Sequence, residues 1–193
     1  MAETIAHPGL LLGMARFYHA PRLSMRGVLD SGPTESRLLV YMMVGLVIML
    51  AGKLAQLAME VPPGTDRFMS RAVAEAGAWL FMMPLFYYAL AAFGTMISKL
   101  FRGHGGWQSG RAAFFWASLV SAPVMALSYI VPSMVGSAPA WVAAAISQLG
   151  PVFSIWALAQ CFAEAFEFRQ SWMVFATMSA PILAIFVVLR LAG

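Results

Sequence analysis

Residues 38–60 read LLVYMMVGLVIMLAGKLAQLAME, an apolar run that opens after Arg37 and closes before Pro62 and Pro63. About twenty residues of this character suffice to cross a bilayer core as a helix. Lys53 breaks the pattern. It sits roughly four residues past the midpoint, about 6 Å off centre at the helical rise. Gln56 and Glu60 follow at spacings of three and seven, which puts all three on one helix face. A lysine at that depth costs a few kcal/mol against lipid, on the order of 3, unless protein or water surrounds it. Snorkelling to the interface would relieve the cost, but helical side chains lean toward the N-terminus, and here that direction points deeper. The residues leave a structural and a functional lysine both open. On either reading its face is expected to look inward, with the other helices assembled against it.

Composition generalises the point. The chain of 193 residues is 61% hydrophobic and 10% charged, where a soluble domain carries about a quarter charged residues. It reads as an all-α, polytopic transmembrane bundle, with too little left outside the apolar runs for a second core. Five spans are expected, at about 38–60, 72–98, 112–135, 140–166 and 171–191, forming a domain over 38–193. The net charge of +4 lies in loops beside the membrane and not in a patch suited to nucleic acid. The first seven residues carry Glu3 and no basic run, so insertion is expected through the helices themselves and not a cleaved leader.

Residues 1–37 read as a cytoplasmic segment with short amphipathic interfacial helices, Pro21 dividing them. Arg16, Arg22 and Arg26 would meet anionic headgroups there. Thr34 or Ser36 is placed to cap the first span. Stretches 61–71 and 99–111 have the proline, glycine and charge content of loops. The second is basic and glycine-rich, but lacks the lysine and Ser/Thr of a phosphate loop and the spacing of a dinucleotide fingerprint, so a flexible juxtamembrane connection is expected. Spans two to five each contain a proline, which favours a bundle of kinked helices whose freed carbonyls find partners in neighbours. Ser118, Ser121 and Ser128 form a small polar stripe, and Ala140, Ala143, Ala144 and Ser147 a second surface for close packing.

Loop charge sets the orientation. Arg16, Arg22, Arg26, Arg37, Lys99, Arg102, Arg111 and Arg169 fall on one side, against Arg67, Arg71 and Arg190 on the other. The N-terminus is therefore expected in the cytoplasm and, with five spans, the C-terminus in the periplasm.

The candidate site is an intramembrane polar cluster of Lys53, Gln56, Glu60, Glu75, Gln148, Gln160 and Glu164. Gln148 lies about 12 Å and Lys53 about 10 Å from the same membrane face, which makes them depth-matched partners. Glu60 and Glu75 are shallower candidates for the countercharge. Glu164 and Glu167 sit at a helix end where Arg169 could meet them, and catalysis would need a pocket that the residues do not outline. His7, His19 and His104 have no metal-ligand spacing with one another or with Cys161. No hydrolase or protease motif occurs. No cofactor or metal is expected, and the chain does not read as an enzyme.

The order of parts has a resemblance. A basic N-terminal stretch APRLSMRGVLDSGPTESRLL leads into the first span. A glycine-rich loop and third span follow as GHGGWQSGRAAFFWASLVSAP, and a fourth span as QLGPVFSIWALAQCFAEAFEF. Together they resemble the bacterial branch of the Yip family, the Ypt/Rab-interacting membrane proteins. The resemblance implies five spans, a cytoplasmic N-terminus and an interaction role without catalytic residues. The long N-terminal domain that eukaryotic relatives use for small GTPases is reduced here to about 37 residues, so that activity is not implied. The expected function is a non-enzymatic accessory protein of the bacterial inner membrane, multi-pass, whose partners are membrane lipids and other integral membrane proteins. A homo-oligomer is an open alternative, and so is a small transporter or channel built on the polar cluster around Lys53.

Overall fold

The computed structural model describes residues 9–135, 139–169 and 174. At its centre is α6 (Trp107–Met134), with α3 (Glu35–Glu60) on one side and α7 (Ala140–Ala165) on the other. The reason lies in α6 itself. Its stretch 112–122 is buried on every face and reads AAFFWASLVSA, alternating bulky rings with residues small enough to admit a neighbouring backbone. Between lipid-exposed helices there is little hydrophobic drive to associate, so close packing has to supply it. A Cβ on Gly52 of α3 would lie 2.6 Å from the Cα of Ala126 on α6, and one on Gly150 of α7 would lie 2.8 Å from the Met125 sulfur. α3 approaches α6 at a distance only glycine permits, and Gly150 leaves room for the Met125 and Ser128 side chains. The serine stripe turns its hydroxyls back onto its own helix: Ser118 donates to Phe114 O at 2.8 Å and Ser128 to Met125 O at 2.7 Å. A small polar face is thereby packed with its donors satisfied.

Four helices among the described residues are long and apolar enough to cross a membrane: Glu35–Glu60, Asp66–Leu100, Trp107–Met134 and Ala140–Ala165. This corrects the expected five spans to four. Of the fifth run, 171–191, only Val174 is among the described residues, and the periplasmic C-terminus inferred from an odd number of spans is withdrawn. The second crossing is composite, with α4 (Asp66–Gly77), a π-helical turn (Ala78–Met82) and α5 (Met83–Leu100) in one continuous rod. Pro84 stands at the start of α5. It has no N–H to give the preceding turn and its ring crowds that turn's carbonyl, and the helix widens there by one residue.

Several boundaries move outward from the sequence reading. Thr65 accepts the Phe68 N–H at 3.2 Å, so a helix begins inside the expected loop 61–71. α6 begins at Trp107, ahead of the expected 112, and runs through Pro123 and Pro132. Thr34, of the two candidates, caps α3, accepting the Arg37 N–H at 3.4 Å. The glycine-rich loop is not free. Gly103 N–H donates to Ser98 O at 2.9 Å and His104 N–H to Phe166 O at 3.3 Å. A Cβ on Gly105 would strike the Ala165 carbonyl. The glycines are what let this loop lie flat on the end of α7.

Helices α1 (Leu10–His19) and α2 (Pro21–Asp30) fold back over the end of the bundle from which α6 starts. Pro21 occupies the first turn of α2, where no N–H is missed. Phe17 and Met25 are fully buried, and the Phe17 ring meets Trp156 of α7 edge-on at 5.9 Å.

Candidate functional site: two polar clusters

The predicted polar set divides between the two ends of the bundle. Lys53 lies eighteen residues along α3 from Glu35, about 27 Å at the helical rise, and Glu164 lies at the opposite end beside α2.

At the end with few basic residues, Lys53 is half-buried and donates to Gln56 Oε1 at 3.2 Å. Gln56 passes the chain on, its Nε2 donating to Glu60 Oε1 at 2.9 Å. The Lys53 ammonium stands 5.0 Å from the centre of the Tyr129 ring on α6, a cation–π contact. Glu75 accepts the Trp79 indole N–H at 3.1 Å, and α4, which carries it, packs on α3. Lys53, Gln56 and Glu60 therefore form a ladder along α3, roofed by an aromatic ring, with Glu75 on the same flank. Tyr129 and Trp79 were absent from the sequence reading. Trp79 was legible one helical turn after Glu75, but Tyr129 becomes a neighbour only through the Gly52–Ala126 crossing.

Gln148 is not brought to Lys53. It is exposed on α7, across α6 from α3, because α6 separates the two helices whose depths matched. Gln160 is half-buried on α7.

At the basic end, Glu164 is the anchor. Its side chain is only 8% exposed and takes two arginines. Arg22 Nε donates to Oε2 at 3.1 Å and Arg26 Nε to Oε1 at 2.6 Å. Arg22 also donates through Nη2 to Phe168 O at 2.6 Å. The carboxylate expected beside Arg169 is thus held by α2, since Glu167 adopts a left-handed φ of 60° that ends α7 and turns the chain away. Two of the arginines expected at headgroups, Arg22 and Arg26, spend donors on Glu164. Arg16 is exposed and makes no ion pair among the described residues. Nearby, Arg111 pairs with Glu35, and Lys99 covers the Trp107 ring at 4.6 Å. Tyr18 fixes α1 by donating to Val120 O at 2.7 Å, and burial pushes its phenol above the ordinary value.

These arrangements hold charge; they do not assemble a reaction. Cys161 is fully buried, and no group of three His, Cys, Asp or Glu among the described residues is disposed to hold a metal. His19 and His104 lie apart, and His7 is outside the described residues.

The family model for the Yip1 domain matches residues 15–191. No curated protein and no solved structure matches the chain.

Proposed function

Because this chain belongs to the Yip1 domain family, we propose that it is an accessory subunit that binds other integral membrane proteins in the bacterial inner membrane. Membership makes it a non-enzymatic, all-helical, multi-pass membrane protein of the bacterial branch. The partner-binding role rests on one observation. Gln148 is exposed on α7, and Ala140 and Ala144, also exposed, precede it at intervals of four, which aligns them on one face. An amide directed at lipid lacks hydrogen-bond partners, and a second helix packed on small residues supplies them. The other small-residue surfaces are used internally, against α3 and α7 themselves.

A photo-crosslinking residue at position 144, in native membranes, tests this. Discrete adducts with other membrane proteins are expected, and Gln148→Leu should abolish them. Adducts with lipid alone, or a lone monomer on purification in mild detergent, would overturn the reading; an adduct at twice the chain mass would make the partner a second copy. The transporter alternative finds no support in the arrangement around Lys53, where the polar groups close on one another and on a ring. Positive residues cluster at the end holding α1, α2 and the 101–106 loop, so by the charge rule that end faces the cytoplasm.

A further inference from the structure

A cleft opens between the α1–α2 hairpin and the first turns of α3, against α6. Gly13 and Arg16 line it from α1, Ser24 from α2, Arg37 and Tyr41 from α3, and Trp116 from α6. Its chemistry is one-sided. Arg37 donates Nε to the Tyr41 hydroxyl oxygen at 2.6 Å and Nη1 to Ser31 Oγ at 3.2 Å, leaving Nη2 without an acceptor among the described residues. The Tyr41 oxygen already accepts, so its own proton is available to donate. The indole Nε1 of Trp116, a residue only 2% exposed, is buried with no hydrogen-bond partner. The Arg16 guanidinium has no carboxylate partner among the described residues. Ser24 has spent its hydroxyl on Gly13 O at 2.9 Å. No carboxylate lines the cleft.

Two arginines, a phenol with a free proton and an indole with an unpaired N–H, all among the residues lining a cleft that has no carboxylate, describe a receptor for an anion. A buried N–H left unpaired costs free energy that a native fold seldom tolerates without a ligand or water. The position narrows the anion. Arg37 and Tyr41 are in the opening turns of a membrane-crossing helix, so the cleft lies at headgroup depth, with exposed Leu11, Leu12 and Leu23 on the hairpin beside it. We propose that this cleft binds the phosphate of a group with net negative charge, held by Arg16, Arg37, Tyr41 and Trp116, and carried by an anionic phospholipid, whose phosphate no choline offsets, or by a small soluble phosphate ester. The site lies away from the outward face of α7, and its failure would leave the accessory role standing.

The test is native mass spectrometry of the full chain in detergent. Phosphatidylglycerol and phosphatidylcholine with identical acyl chains are offered at equal concentration, and glycerol 3-phosphate is offered alone and in competition. The wild type should retain the phosphatidylglycerol about tenfold better than the phosphatidylcholine, or bind glycerol phosphate, as charge-assisted hydrogen bonds to phosphate require. Displacement of the lipid by glycerol phosphate, or binding of glycerol phosphate alone, assigns the soluble source; retained lipid without displacement assigns the headgroup. Arg16→Gln, on an exposed side chain, should lose about fivefold, and adding Tyr41→Phe should abolish the preference. Arg67→Gln with Arg71→Gln removes two charges from the far end and should change nothing. Equal retention of both lipids with no glycerol phosphate binding would overturn the assignment. So would a preference that survives Arg16→Gln with Tyr41→Phe, or one that falls equally in the far-end variant.

Discussion

At the scale of single residues, two of the charges in the predicted intramembrane cluster, Glu164 and Lys53, resolve into opposite cases. Glu164 is enclosed and holds two arginines that keep water on their outer sides, with side chains 38% and 61% exposed. Glu164→Gln should therefore destabilise the fold by about 1–3 kcal/mol, below the cost of breaking a fully buried pair. Thermal unfolding in detergent measures it, and Arg22→Gln should cost more than Arg26→Gln because Arg22 also holds Phe168 O. Lys53 has only a ladder hydrogen bond and a ring face to lose. Lys53→Met should leave stability unchanged or raise it by up to about 1 kcal/mol, since an apolar side chain removes the burial penalty. A large loss of stability would reveal a tighter role than the ladder. Tyr18 carries a pH signature. Its folded pKa is raised by burial, so its stabilising contribution is complete below the unfolded value near 10 and is lost as pH rises through the folded one. The melting temperature of the wild type should fall more steeply above pH 10 than that of Tyr18→Phe, and parallel curves would sink the link.

Elements meet where side chains are missing. α3 crosses α6 at Gly52, and Gly52→Ala should cost about 1–3 kcal/mol because the new methyl meets the Ala126 backbone and not a flexible tip. Gly77→Ala makes the matched control, with nothing within 4 Å of its Cβ; it should be neutral or slightly stabilising, by up to about 1 kcal/mol. Equal effects at the two glycines would mean that helix propensity, and not the crossing, sets the cost. The sequence announced that small residues would pack but not against what. Helix starts beyond the apolar runs, such as α4 at Thr65, were hidden because charged first turns resemble loops until the capping hydroxyl is seen.

For the whole molecule, the hairpin α1–α2 ties residues 10–30 to α7. The Arg22–Glu164 contact spans 142 residues of sequence, and no local pattern encodes such a pairing. It also fixes which loops share an end. With Cys161 replaced by serine, a cysteine at position 66 should react with an impermeant reagent in intact spheroplast-free cells, and one at position 104 only after permeabilisation. Labelling of both from one side would contradict the four-helix arrangement.

Hydropathy by itself determined that this chain is a helical membrane protein, roughly where the four crossings among its described residues run, and that Lys53, Gln56 and Glu60 share a face. Those follow from bilayer thickness and a 3.6-residue repeat, which act on the chain locally. Which charge meets which was decided only in the tertiary structure. Depth along the membrane normal can be counted from sequence, but position around the bundle cannot, and α6 standing between α3 and α7 is what separates Lys53 from Gln148 and gives Glu164 to the arginines of α2.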